Sequence, residues 1–168
     1  IQRLVGSEMC IRDSNKPLSI EEKCQTFDDE IILVENIKKI FLLLLGKAFE
    51  KYGSEIEKNQ QVLLSLSDLA IEAYLSESTL KRTIKNIKRS SVEDQFDQIN
   101  MTKLYIYEAC QIVLKKSNDV VNSIIDLKSQ DKLHSSIAGK LKYSENPNIF
   151  ELKTKIAEKI ISENRYCF

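Results

Sequence analysis

No proline interrupts the sequence between Pro17 and Pro147, and glycine breaks that stretch only at Gly46, Gly53 and Gly139. Sandwiches and barrels need turn residues at roughly 8–12-residue spacing, and this chain does not supply them. It is rich instead in Leu, Ile, Lys and Glu, residues that lose little on entering a helix. A length of 168 residues suits one compact core rather than two. The expected fold is all-α, an antiparallel bundle of four to five helices.

Helix punctuation divides the chain further. Residues 15–25, polar and containing Pro17, read as a linker. A first helix is expected from Thr26 to Tyr52, stopped by Gly53 in the position after a helix where glycine is favoured. Ser54 and Glu57 have the spacing of a capping box, which predicts a second helix from Glu55 to Lys88. The loop between the two is short, so they should run antiparallel. On the second helix Leu63, Leu66, Ala70, Ala73, Glu77, Leu80, Ile84 and Ile87 fall on a heptad seam, with small Ala70 and Ala73 allowing close approach. Ser91 and Asp94 open a third helix, from Val92 towards Leu127, whose inner face is Phe96, Ile99, Ile106, Cys110, Val113, Val120 and Ile124. A break at Lys128 and Ser129 precedes a fourth, Gln130 to Tyr143. Asn148 caps a fifth, with Glu151 three residues on, running to Asn164. The terminal aromatics, Tyr166 and Phe168, could dock against the bundle.

The first helix carries more apolar surface than one face needs. Ile31, Ile32, Leu33, Val34, Ile37 and Ile40 through Leu45 cover most of its circumference. A helix apolar all round is buried on more than one side. It is either central in its own bundle or covered by something outside this sequence: more chain, a sister subunit or a membrane surface.

The search for chemistry is short. No phosphate-cradling glycine loop, metalloprotease helix or nucleophile elbow occurs. Glu77, alone on an apolar stripe, is either a buried general base or a structural carboxylate, paired across the bundle or pointing out at a flank. The structural reading is favoured, since no His, Cys or second acid stands a turn away. Cys110 reads as a small core residue with no histidine near in sequence to activate it. His134, the sole histidine, lacks acidic partners at metal-binding spacing. No catalytic, cofactor-binding or metal-ligating residue is assigned.

Lys plus Arg and Asp plus Glu both number 25, so no global field draws in nucleic acid. The basic run Lys81, Arg82, Lys85, Lys88 and Arg89 complements the carbonyl end of its helix and reads as a solvated face. Cys10, Cys24, Cys110 and Cys167 lie far apart with no C-x-x-C, which argues against zinc and redox motifs and, with no secretory segment visible, for a reduced cytoplasmic setting. The longest apolar run, Ile40 to Leu45, falls far short of the roughly 20 residues that span a bilayer.

Residues 4–14, LVGSEMCIRDS, resemble one reading frame of a transposon-end sequencing adapter. Residues 1–14 are therefore expected to be an artefact outside the fold, and Ile1 not to be a natural start.

Gln60, Leu63, Leu66, Asp68, Ala70, Ile71, Glu72 and Tyr74 follow a Q-x-x-L-x-x-L-x-D-x-A-I-[DE]-x-Y pattern. That pattern resembles the C-terminal extension of very-long-chain-type acyl-CoA dehydrogenases. The ending Glu163-Asn-Arg-Tyr-Cys-Phe168 is similar to the terminus of bacterial members. The resemblance implies that residues 26–168 are a helical, non-catalytic domain of a parent enzyme that desaturates fatty acyl-CoA between its α and β carbons. The catalytic glutamate and FAD would then lie in an upstream body on which the domain packs, and this piece would hold no cofactor itself. The alternative is an independent helical interaction module that docks through its first helix.

Overall fold

In the computed structural model, residues 25–90, 92 and 95–165 are described. The adapter-like stretch, most of the linker, the Ser91 and Asp94 start signals and the terminal Tyr166–Phe168 lie outside them. Among the described residues the architecture is all-α: α1 (Asp28–Tyr52), α2 (Gln60–Arg89), α3 (Phe96–Ile124), α4 (Leu127–Lys140) and α5 (Ile149–Glu163).

α1, α2 and α3 form an up-down-up core. Lys38 of α1 meets Glu77 of α2, Thr83 of α2 meets Thr102 of α3, and Lys51 near the end of α1 reaches Ser123 near the end of α3. α4 turns back over α3 and the start of α1, where Asn36 donates to the Lys140 carbonyl at 2.8 Å. α5 packs on α3 and contributes no buried residue.

The apolar circumference of α1 follows from a central position. Leu33, Val34, Ile37, Ile40, Leu44 and Ala48 are buried, and Ile31, Phe41 and Leu45 are partly covered by the same core. What remains open has Ile32, Leu43 and Phe49 as its exposed apolar members. Much of the surface that could have met an outside partner is thus covered by α2, α3 and α4. α1 starts with Asp28, Asp29 and Glu30 in its first turn, where negative charge suits the macrodipole. It ends at Gly53, whose φ of 53° is ground that a residue with a Cβ occupies only under strain.

Several expected boundaries move, among them the start of α3, at Phe96 rather than Val92, and the end of α4, at Lys140 rather than Tyr143. Gly53–Lys58 is a 3-10 segment, and α2 begins only after Asn59, so Ser54 and Glu57 do not cap it. Buried Ile56 holds this segment to the core. The break before α4 falls at Ile125 and Asp126 rather than Lys128 and Ser129. At α5 the cap is as expected: the Asn148 side chain accepts from the Glu151 N–H at 3.3 Å.

The seam of α2 also shifts. Its buried line is Val62, Leu66, Leu69, Ala73, Ser76, Leu80 and Thr83, with Ile84 beside it. Leu63, Ala70, Glu77 and Ile87 sit on the flank. Both lines have heptad spacing and share Leu66, Ala73 and Leu80. The true one contains two hydroxyls, which an apolar count passes over. Thr83 and Thr102 are 2.7 Å apart in the interior, and each hydroxyl also lies within hydrogen-bond reach of a carbonyl four residues back in its own helix. On α3 the inner face is as expected, except that Phe96 is half exposed.

Candidate interaction surface

Glu77, Cys110 and His134, the candidate reactive groups of the sequence, are each taken up in packing or pairing. Glu77 receives Lys38 and Lys81, both at 2.6 Å. Partial burial works to raise its pKa, but the two ammonium groups outweigh it and hold the carboxyl below the usual range. It therefore stays ionised and paired, the opposite of a poised base. Cys110 is buried, and burial together with the nearby Glu30 charge pushes its thiol up to about 12. A thiol so raised supplies almost no nucleophilic thiolate at neutral pH.

His134 ties α4 to α3: its Nδ1 lies 2.6 Å from Asn118 Oδ1 and its Nε2 2.9 Å from Asn122 Oδ1. A neutral imidazole donates from one nitrogen only, so in that state one of the two amides must turn its NH2 towards the ring. Either way the ring is consumed in a crosslink. Among the described residues, no group of three or more His, Cys, Asp or Glu is arranged to hold a metal ion. The basic residues Lys81, Arg82, Lys85, Lys88 and Arg89 stand exposed on α2, with Lys81 already paired to Glu77.

A buried acid went unnoticed in the sequence. Glu30 is 4% exposed, and desolvation raises its pKa despite help from its own backbone N–H and from Lys103. Its charge is felt by Cys110 and Tyr143, and the Tyr143 hydroxyl is buried with no hydrogen-bond partner among the described residues. The sequence shows Glu30 only as a first-turn acid. Beyond α4 the chain returns to this end of α1: Tyr143 is buried near enough to feel the Glu30 charge, and Ser144 bonds Asp29 through both its N–H and its hydroxyl.

Among the described residues are two surface grooves of moderate size. One, about 590 Å³, lies among the ends of α1 and α3 and the start of α4. Two of the lysines lining it are already engaged, Lys47 with Glu50 and Lys51 with the Ser123 carbonyl. The other, about 750 Å³, runs between α2 and α3 and is lined by Tyr74, Leu75, Arg82 and Met101 together with hydroxyl and amide groups. Neither is lined by Glu30, Cys110 or Tyr143.

Beside the second groove, α2 presents a further apolar line opposite its seam. Leu64, Ile71 and Leu75 are 66%, 52% and 42% exposed, at spacings that place them on one side of a helix, and Tyr74 flanks them at 70%. A signal for it was present as a second heptad-spaced set, masked by the stronger one. Ile71 and Tyr74 belong to the pattern that carried the resemblance, although the core does not use them. No helix among the described residues is long and apolar enough to cross a membrane.

Together these features define an all-α bundle domain whose singled-out polar groups serve its own packing. The family model for the acyl-CoA dehydrogenase C-terminal domain matches residues 36–139, and the chain belongs to that family. A probable acyl-CoA dehydrogenase of Bacillus subtilis (strain 168) is 26% identical over 186 residues, an alignment that takes in 99% of this chain and 31% of the relative. A solved acyl-CoA dehydrogenase complexed with FAD, from Bacillus anthracis, superposes with a TM-score of 0.83 at 26% identity, covering 100% of this chain and 30% of that one. The chain thus spans about a third of the length of these relatives. Family membership decides against the independent interaction module.

Proposed function

We propose that this chain is a non-catalytic structural and assembly domain of an FAD-dependent enzyme that desaturates fatty acyl-CoA between its α and β carbons. The observation that carries the reading is the end-to-end superposition on under a third of an FAD-complexed acyl-CoA dehydrogenase. In that arrangement the rest of the polypeptide holds the flavin and performs the chemistry, and this bundle is its packing partner. A sister subunit is a further candidate partner.

Neither of the two grooves fits a flavin. An isoalloxazine wants a closed apolar or aromatic slot, and a pyrophosphate wants a glycine-rich turn at a helix N-terminus. The α2–α3 groove offers a largely exposed tyrosine and one arginine. The groove at the start of α4 holds lysines but no aromatic side chain. No catalytic step is assigned to this chain's own residues. A reducing, cytoplasmic setting belongs to the same proposal and is supported by Cys110, a free thiol built into the core.

Titration of the purified chain with FAD, followed by flavin fluorescence and calorimetry, is expected to show no saturable binding. Tight one-to-one binding would overturn the reading.

A further inference from the structure

The open side of α2 is amphipathic in a way its own fold does not use. Leu64, Ile71 and Leu75 span eleven residues, about 16 Å of helix at 1.5 Å per residue. Scattered exposed hydrophobes are ordinary, but a line of them beside an open groove marks a contact surface. The chemistry around it suits a protein partner: Tyr74 and Arg82, the residue types that dominate interface hot spots, flank the line and border the groove together with Met101. Asp68 and Lys116, paired at 2.6 Å, form a polar edge between α2 and α3.

α5 carries a competing apolar face, with Phe150 85% and Ile161 77% exposed. The family model separates the two. Its span, residues 36–139, includes all of α2 and α3 and stops before α5, which favours the former, although the two relatives align over 99–100% of this chain, α5 included. The occupant follows from length. The chain matches only 30–31% of its relatives. In them the remaining polypeptide is covalently tethered to the bundle, and tethering supplies an effective concentration of about millimolar or more.

We propose that the outer line of α2, with its groove against α3, is the surface on which the rest of an acyl-CoA dehydrogenase polypeptide docks. This rests on the C-terminal-domain reading and goes further by naming the face.

The test places single cysteines at Leu64, Ile71, Leu75, Phe150 and Ile161 in the isolated chain, and at the aligned positions of the full-length Bacillus subtilis relative. Maleimide labelling is then followed by peptide mapping, which keeps the natural cysteines apart. All five exposed sites should label fast in the isolated chain. In the full-length relative the three α2 sites should slow about tenfold or more, and the α5 sites should not. Unchanged α2 rates would overturn the proposal, as would protection confined to α5. Protection lost on dilution would also overturn it, because a second copy would then be the occupant. None of these outcomes bears on FAD binding by the isolated chain, so failure of the face and failure of the underlying reading are told apart.

Discussion

α1 and α5 are both rich in isoleucine and leucine or phenylalanine, yet seven residues of α1 are buried and none of α5. Apolar content does not set the difference. α1 is enclosed by α2, α3 and α4, so its side chains meet neighbours in several directions. α5 leans on α3 from outside. Its cross-helix polar contacts are Lys153 with Glu108 at 2.7 Å, Lys159 with Asp97 at 4.0 Å, and Lys155 over the Phe96 ring. Exposed ion pairs contribute about 0–1 kcal/mol each, whereas full burial of one Leu or Ile contributes about 1.5–3 kcal/mol. Stability in this domain is therefore concentrated in the three-helix core, and the last helix is a light addition.

The sharpest way to break that contrast is substitution in the core. Leu44→Ala should destabilise by about 2–5 kcal/mol in urea unfolding followed by circular dichroism, while Phe150→Ala should stay within about 0.5 kcal/mol. Comparable losses at the two sites would abolish the distinction. Thr83→Ala should cost about 1–2 kcal/mol, since it strips Thr102 of its buried partner.

The two acids of α1 and α2 should respond to pH in opposite directions. Glu77 is held low, so its contribution is present above the ordinary carboxyl range and lost as pH falls through its folded value. Glu30 is held high by burial. Its contribution is present below that range and lost as pH rises through its folded value. Relative to the unsubstituted chain, Glu30→Gln should therefore gain stability between about pH 4 and pH 7, and Glu77→Gln should lose it. Parallel curves from matched urea titrations would contradict the assigned environments.

Small as well should be Lys153→Glu, which removes an exposed pair and costs under about 1 kcal/mol. Hydrogen exchange gives the companion measurement. Amides of α5 should open at far lower free energy than those of α1, which should approach the global value. Equal protection would make α5 part of the core after all.

How much of this was legible beforehand depended on how local the cause was. Scarce breakers gave five helices, and Asn148 with Glu151, being three residues apart, gave the start of α5 correctly. Gly53 ended α1 where its positive φ is needed. The Ser54–Glu57 signal misled because Ile56 is drawn into the core and tightens that segment into a 3-10 turn. The seam of α2 was displaced because Ser76 and Thr83 are buried by contacts with distant residues, which no count of apolar side chains registers. Pairing was one of the structural readings given for Glu77, whereas the burial of Glu30, near Tyr143 from far along the chain, had no local signal. The over-apolar first helix was correctly noticed, but the outward line on α2 was the surface left over once the bundle had closed.

One further consequence belongs to the threonine pair. A heptad stripe of leucine, valine and alanine is nearly indifferent to sliding by seven residues, because every alignment presents a similar greasy surface. Two hydroxyls that meet at 2.7 Å do so at one alignment only. Slide either helix by a repeat and the Thr83–Thr102 contact is lost, each hydroxyl keeping only the carbonyl four residues back in its own helix. Thr83 and Thr102 thus act as a dowel between two otherwise slippery rods, setting α2 and α3 in one longitudinal position.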